Sequence, residues 1–188
     1  MKNLTQINFQ NIKYVGVRVD FNVPINDSFQ ITDNTRLIRA KDTIDFIYKN
    51  ESKILLLSHF GRPKESFEEK FSFTNLIDQF SNIIGYEIHL LSYEEFLLNG
   101  LQKFKEGMNK ITLLDNIRFF EGEKKNDKSF SQSITNELDL FINEAFSASH
   151  RRHASVNQMA KNILSVPGLN FSKEVMAIND IKNSSKKN

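Results

Sequence analysis

The chain has 188 residues, 39% of them hydrophobic and 17 of them phenylalanine, which is enough for one domain with its own core. Its 25 basic and 23 acidic side chains give a net charge of +2, which excludes a broad basic surface for nucleic acid. It has no cysteine, which excludes disulfides and thiolate metal sites. The polar N-terminus and short apolar runs predict a cytoplasmic protein without a signal peptide or membrane span.

The first part of the chain shows a strand, a helix and a second strand. Apolar and polar residues alternate over residues 15–21, which predicts a strand that ends near Asn22. Asp33 is a candidate N-cap for an amphipathic helix that extends to about Lys49. Residues 54–57 are continuously apolar, which is typical of a strand buried on both faces inside a parallel sheet.

The same alternation continues along the chain. Residues 73–84 carry a helical apolar stripe that stops at Gly85, and residues 87–91 predict a strand. Ser92 and Glu95 have the spacing of a capping box, which predicts a short helix.

The second part repeats the pattern once more. Residues 111–114 and 140–143 predict strands, with a helix over residues 127–138 between them. The tail from Ser172 is predicted to start as a helix and to fray into polar residues. Strands that alternate with helices predict an α/β protein with an open, mainly parallel sheet and helices on both faces.

Arginine is used sparingly and in particular places. The chain has seven arginines, against eighteen lysines, and they lie at the edges of a few short segments. They are Arg18, Arg36, Arg39, Arg62, Arg118, Arg151 and Arg152. Guanidinium groups bind carboxylate or phosphate through two parallel hydrogen bonds, whereas lysine is a mobile point charge. Surface salt bridges are the alternative explanation, but the clustering at strand ends favours a site for one anionic ligand.

The position of these polar residues in the predicted sheet supports that hypothesis. In open parallel sheets, ligands bind beyond the carboxyl ends of the strands. The residues expected at that edge are Asp20, Asn22, His59, Arg62, Asn116, Arg118, His150 and Arg151. A small phosphorylated acid is the natural ligand for several guanidinium groups. For Asp20 and Asn22 taken alone, a local role in a strand-end turn is an equally good explanation.

Other chemistry is not predicted. The seven glycines form neither a Walker loop nor a dinucleotide-binding fingerprint, and no metal site is evident. The acidic stretches at residues 65–69 and 121–123 are predicted to be solvated loop charge.

Five ordered motifs resemble the N-terminal domain of phosphoglycerate kinase. They are residues 17–24 (VRVDFNVP), 31–36 (ITDNTR), 57–63 (LSHFGRP), 113–119 (LLDNIRF), and 141–146 (FINEAF) with 150–155 (HRRHAS). This resemblance implies a Rossmann-like domain over residues 1–171, followed by the start of an interdomain helix and a polar tail over residues 172–188.

The resemblance also implies roles for individual residues. Asp20 and Asn22 contact the glycerate, and Arg36 is catalytic because it reaches the reacting carboxyl group and stabilises the phosphoryl group in transfer. The side chains that hold the carbon-3 phosphate are His59, Arg62, Arg118 and Arg151. The chain departs from the usual family pattern at four positions, none of which deletes a contact residue. These are Phe60 for Leu, Glu144 for Asp, Ser147 for Gly and Arg152 for a small residue.

The family's second half, with its glycine-rich nucleotide site and magnesium-binding Asp, has no counterpart in the sequence. The resemblance therefore implies half of a glycolytic enzyme that transfers a phosphoryl group between 1,3-bisphosphoglycerate and ADP. This chain is expected to bind 3-phosphoglycerate, while Mg-ADP or Mg-ATP binds to a C-terminal half that is either separately encoded or part of a longer chain from which this one is cut. The alternative is a non-catalytic phosphoglycerate-binding module or a truncated remnant. Neither nucleic acid nor a membrane is expected as a partner.

Overall fold

The computed structural model describes residues 3–64 and 66–185. The strands in this part of the chain are β1 (Tyr14–Arg18), β2 (Lys53–Leu57), β3 (His89–Leu91), β4 (Ile111–Leu114), β5 (Leu140–Asn143) and β6 (Ser165–Pro167). The α-helices are α1 (Thr35–Lys49), α2 (Ile77–Ile84), α3 (Tyr93–Asn99), α4 (Gln102–Glu106), α5 (Glu121–Lys124), α6 (Lys128–Thr135), α7 (Met159–Asn162) and α8 (Leu169–Ser185). No helix within the described ranges is long and apolar enough to cross a bilayer.

The strands form one parallel sheet in the order β3-β4-β2-β1-β5-β6. After β1 the chain adds β2, β3 and β4 on one side, with β4 between β2 and β3, and then crosses to add β5 and β6 on the other side, so the strand order reverses between β1 and β5. The carboxyl ends of strands at such a reversal form the crevice where open α/β sheets bind ligands. The predicted Rossmann-like α/β fold is confirmed.

Apolar side chains cover both faces of the sheet. In β2, Ile54 and Leu56 belong to a core cluster with α1 and α2, while Leu55 and Leu57 belong to a second cluster with α3, α4, α6 and α7. All four are fully buried. A strand between two helical layers has no polar face, which explains the continuous apolar run in its sequence.

Several predicted boundaries were too wide. The first strand ends at Arg18 rather than near Asn22, because its neighbour β5 ends at Asn143 and the ladder closes there. The second helix begins at Ile77 rather than at residue 73, and a turn precedes it, in which the Leu76 N–H donates to the Phe73 carbonyl at 2.8 Å and the Phe73 N–H donates to the buried Asp115 carboxylate at 2.9 Å. The helix predicted over residues 127–138 covers Lys128–Thr135, and the strand predicted over residues 87–91 covers His89–Leu91.

Helix α8 begins at Leu169, a few residues before the predicted start near Ser172. Its first turn is fixed by neighbouring side chains: the Leu169 N–H donates to Thr43 Oγ1 at 2.8 Å, and the Asn170 N–H donates to the Glu144 carboxylate at 3.0 Å. A carboxylate at a helix N-terminus satisfies free N–H groups and the helix dipole. The helix continues to Ser185, and the rest of the predicted polar tail, residues 186–188, lies outside the described residues.

Candidate anion-binding site

The four central strands end at the same level. Arg18 at the end of β1 is paired with Leu57 of β2 and Asn143 of β5, and Leu57 is paired with Leu114 of β4. The chain after each strand therefore leaves the sheet at one edge. All of the residues predicted to bind the substrate except Arg36 come from these four loops, and Arg36 lies in the first turn of α1.

Three of the predicted arginines line one cavity of about 310 Å³, namely Arg62, Arg118 and Arg151. They come from the loops after β2, β4 and β5, so that residues up to 89 positions apart in sequence meet there. The remaining lining residues are Pro63, Lys124 and His153. Among the described residues, no carboxylate lines this cavity, and its positively charged side chains favour the binding of an anion.

Arg118 is the buried member of this cavity, with 6% of its surface exposed. Its Nη1 donates to the Gly61 carbonyl at 2.7 Å, and its backbone N–H donates to Asn116 Oδ1 at 3.2 Å. Burial, followed by the charges of Arg151 and Arg18, lowers the pKa of Arg118 to about 10. The guanidinium remains charged at neutral pH, and an incoming anion would relieve the repulsion that lowers its pKa.

Asn116 connects the loop after β4 to the loop after β2. Its side-chain amide donates to the carbonyls of Phe60 at 2.6 Å and Phe71 at 3.0 Å, while its Oδ1 accepts from the Phe60 N–H at 3.2 Å. It is fully buried, so these bonds satisfy a polar group that would otherwise be costly to bury. Asn116 therefore fixes the relative position of the loops that carry Arg62 and Arg118.

Gly61 links the arginine cavity to the predicted glycerate contacts. Its N–H donates to Asn22 Oδ1 at 2.9 Å, and its carbonyl accepts from Arg118. Its φ is +60°, and a Cβ at this position would lie 2.5 Å from the Phe71 ring. Both the backbone conformation and the available space therefore require glycine at this junction.

Asp20 and Arg36 line a second, smaller cleft beside α1 and β5, of about 120 Å³. Arg36 Nη1 lies 2.5 Å from Asp20 Oδ2. The same carboxylate oxygen accepts a hydrogen bond from Ser147 Oγ at 2.6 Å. Five of the seven predicted substrate-binding residues thus line two openings at one edge of the sheet, and Asn22, bonded to Gly61, connects the two.

His59 is placed differently from the arginines. It is 8% exposed and does not line the arginine cavity; its Nδ1 lies 3.1 Å from Arg18 Nη2. Burial and then the charges of Arg18 and Arg118 lower the pKa of His59 to about 2, so the ring is neutral. In this geometry its closest charged partner is Arg18. Its predicted phosphate contact remains a prediction.

A buried ionic network beneath the cavity was not predicted. Glu123 on α5 is fully buried and accepts hydrogen bonds from the Ser155 N–H at 2.9 Å and Ser155 Oγ at 2.6 Å. Arg18, only 1% exposed, donates from Nε to the same Ser155 hydroxyl at 2.9 Å. The prediction that residues 121–123 are solvated loop charge was wrong for Glu123, because Ser155 and Arg18 fold over it.

His153 is a lining residue that sequence reasoning did not single out. Burial, followed by the charges of Arg118, Arg151 and Arg18, lowers its pKa to about 4. Its Nδ1 lies 3.8 Å from Glu123 Oε1. A signal existed in the sequence, since His153 lies two residues after Arg151 within one predicted motif. His150 and Arg152 of the same motif are exposed and do not line this cavity.

Fold and site together define an α/β protein with a cationic ligand site at the carboxyl edge of a parallel sheet. Comparison with known proteins identifies the family: its model, described as phosphoglycerate kinase, matches residues 4–188. The phosphoglycerate kinase of Prochlorococcus marinus (strain MIT 9515) is 40% identical over 166 residues, which cover 87% of this chain and 41% of the relative. The enzyme of Helicobacter pylori (strain J99) is 36% identical over 182 residues, covering 93% of this chain and 43% of the relative.

Solved structures agree with these sequence matches. The structure of phosphoglycerate kinase from Coxiella burnetii superposes with a TM-score of 0.81 at 28% identity and covers 95% of this chain and 44% of that one. The chain therefore belongs to the phosphoglycerate kinase family. It spans about 40% of the length of the curated relatives that it matches.

Proposed function

We propose that this chain binds 3-phosphoglycerate and forms the phosphoglycerate-holding part of a phosphoglycerate kinase. The observation that carries the proposal is the convergence of Arg62, Arg118 and Arg151 on one cavity. A phosphate monoester carries a charge of about −2 at neutral pH and three strong acceptor oxygens. Three guanidinium groups neutralise this charge and offer paired donors to these oxygens.

The second cleft gives the proposed ligand an orientation. With the phosphate held by the three arginines, the glycerate would extend past Gly61 toward Asn22, Asp20 and Arg36. The Asp20 carboxylate can accept from a substrate hydroxyl, and Asn22 connects this cleft to the arginine cavity through Gly61. The carboxyl end of the ligand would then lie near Arg36, which is 45% exposed at its side chain and faces the opening.

Arg36 is the proposed catalytic residue. Phosphoryl transfer depends on positioning and on neutralising charge at the oxygens of the moving group. The Arg36 guanidinium is exposed at the first turn of α1 and is held in place by the Asp20 carboxylate. It can supply positive charge to the phosphoryl group in transfer, while the carbon-3 phosphate is bound by the other arginines. The family's reaction also uses a magnesium nucleotide. Among residues 3–64 and 66–185 no group of three or more His, Asp or Glu side chains is placed to hold a metal ion.

A non-catalytic phosphoglycerate-binding module is the second candidate, because the arginine cavity that would hold the phosphate does not include Arg36. A transfer assay separates the two candidates. The purified chain is expected to show no transfer from 1,3-bisphosphoglycerate to Mg-ADP, because Arg36 alone cannot align the two reactants. Adding the separately expressed nucleotide-binding half of a relative is expected to restore ATP formation.

Helix α8 offers a candidate docking surface for such a half, because two of its apolar side chains, Met176 and Ile178, are 64% and 40% exposed. The assay also includes Arg36→Lys, which keeps the positive charge but loses the paired donors of the guanidinium group. This variant is expected to lower the restored rate about 100-fold or more. Turnover by the purified chain alone would contradict the proposed division of labour. A folded nucleotide-binding half that restores no rate would favour the non-catalytic module.

A further inference from the structure

Ser147 lies in the short turn after β5 and makes a direct contact with the proposed glycerate site. Its Oγ donates to Asp20 Oδ2 at 2.6 Å, and Arg36 Nη1 donates to the same oxygen at 2.5 Å. The hydroxyl therefore connects the loop after β5 to the loop after β1, across the point where the strand order reverses.

The two donors fix the orientation of the Asp20 carboxylate. Its Oδ2 is occupied by Ser147 and Arg36, whereas its Oδ1 accepts only the Asn22 N–H at 3.3 Å, a long bond, in the contacts recorded for the described chain. A carboxylate oxygen can accept more than one hydrogen bond, so Oδ1 retains capacity for a ligand hydroxyl. Rotation of the carboxylate would break both short bonds to Oδ2.

From this geometry we infer that Ser147 is a positioning residue, whose hydroxyl holds Asp20 so that Oδ1 faces the glycerate hydroxyl. The inference rests on the proposed function, which places the glycerate in this cleft. Ser147 acts through Asp20 and does not touch the phosphate, which is held in the separate arginine cavity. Its contribution should therefore depend on whether the ligand has a glycerate part.

The charges around Asp20 give the inference a second readout. Burial raises the pKa of the Asp20 carboxyl, but the hydrogen bonds from Ser147 and Arg36 and the charge of Arg36 outweigh burial, so the pKa is lowered. The other titratable groups around it are Arg18 and His59, whose charges act on it, and Arg39, Glu144 and Glu174, which line the same cleft. Removing the Ser147 donor removes a bond that favours the ionised form, so the pKa of Asp20 should rise.

The test compares Ser147→Ala with Ser147→Thr and with Ser149→Ala. Ser149 lies at the end of the same turn, but its hydroxyl donates to the Phe146 carbonyl and is not bonded to Asp20. By calorimetry, Ser147→Ala is expected to weaken 3-phosphoglycerate binding about three- to tenfold and to leave inorganic phosphate binding unchanged. Ser147→Thr should restore the affinity, and Ser149→Ala should match the wild type.

Carbon-detected NMR of the Asp20 carboxyl measures its pKa directly, and this measurement tests the role of Ser147 without a ligand. Its pKa should be higher in Ser147→Ala than in the wild type and in Ser149→Ala, and the acid limb of 3-phosphoglycerate binding should move to higher pH with it. An unchanged Asp20 pKa, or equal loss of phosphate and 3-phosphoglycerate affinity, would overturn the inference. If the wild type does not bind 3-phosphoglycerate, the proposed function fails, and a raised or unchanged Asp20 pKa still decides whether Ser147 holds this carboxylate.

Discussion

Replacing Arg118 with alanine is expected to weaken 3-phosphoglycerate binding by about 30- to 5,000-fold, which corresponds to about 2–5 kcal/mol for the loss of one partner of a buried charge pair. Arg118 is the least exposed of the three cavity arginines, and its bond to Gly61 fixes its direction. Arg118→Lys keeps the charge but loses the paired donors, so it is expected to weaken binding about tenfold or more. Calorimetry measures both effects.

Arg152→Ala is the matched control for this series. It removes the same charge one residue away from Arg151, but Arg152 is exposed and does not line the cavity. At physiological ionic strength its effect on affinity is expected to stay within about threefold, because exposed charges are screened. Unchanged binding by Arg118→Lys would show that Arg118 does not grip the phosphate through two bonds. Equal losses in Arg118→Ala and Arg152→Ala would show that only net charge matters.

Replacing Glu123 with alanine is expected to lower the free energy of unfolding by about 3–5 kcal/mol, which is typical for leaving a buried charge unpaired. Glu123 is fully buried, and burial raises the pKa of its carboxyl, while the positive charge of Arg18 and the hydrogen bonds from Ser155 oppose that shift and favour the ionised form. Without Glu123, the buried Ser155 N–H would lose its acceptor. The buried Arg18 guanidinium would lose the negative charge that most favours its ionised form. Urea denaturation measures the change.

Glu121→Ala provides the comparison on the same helix. Glu121 is 61% exposed at its side chain and pairs with Lys125 four residues later, an exposed pair of the kind that contributes little. Its replacement is expected to change stability by less than about 0.5 kcal/mol. A loss below about 1 kcal/mol in Glu123→Ala would contradict the buried network as a support of the site.

The parts of the fold that the sequence predicts well are those whose pattern is local. The two apolar runs at residues 111–114 and 140–143 match β4 and β5 in both position and length, since a buried central strand needs a continuous apolar run. The short strand β6 was not predicted, because its three residues end in a proline and show no readable period. Helices α4, α5 and α7 were missed for the same reason: each has only four or five residues.

Some residues of the site could likewise be predicted from a local sequence pattern, and others could not. The arginines stood out because the chain uses few of them and they follow predicted strands. Glu123 was misjudged because it lies between lysines and other acids, and its partner Ser155 is 32 residues away. The pairing of Ser147 with Asp20 spans 127 residues and depends on β1 and β5 being neighbours, which no local pattern shows.

An NMR titration of the His153 ring with 3-phosphoglycerate tests the central claim most directly, because His153 lines the proposed phosphate cavity. In the free chain, burial and the neighbouring arginines lower its pKa to about 4, so the ring should not titrate between pH 8 and pH 6. A bound phosphate favours the protonated ring, so saturating 3-phosphoglycerate should raise the pKa of His153, while glycerate, which lacks the phosphate, should leave it near 4. An unchanged His153 pKa at saturation, or no binding at all, would contradict the assignment of this cavity to the phosphate.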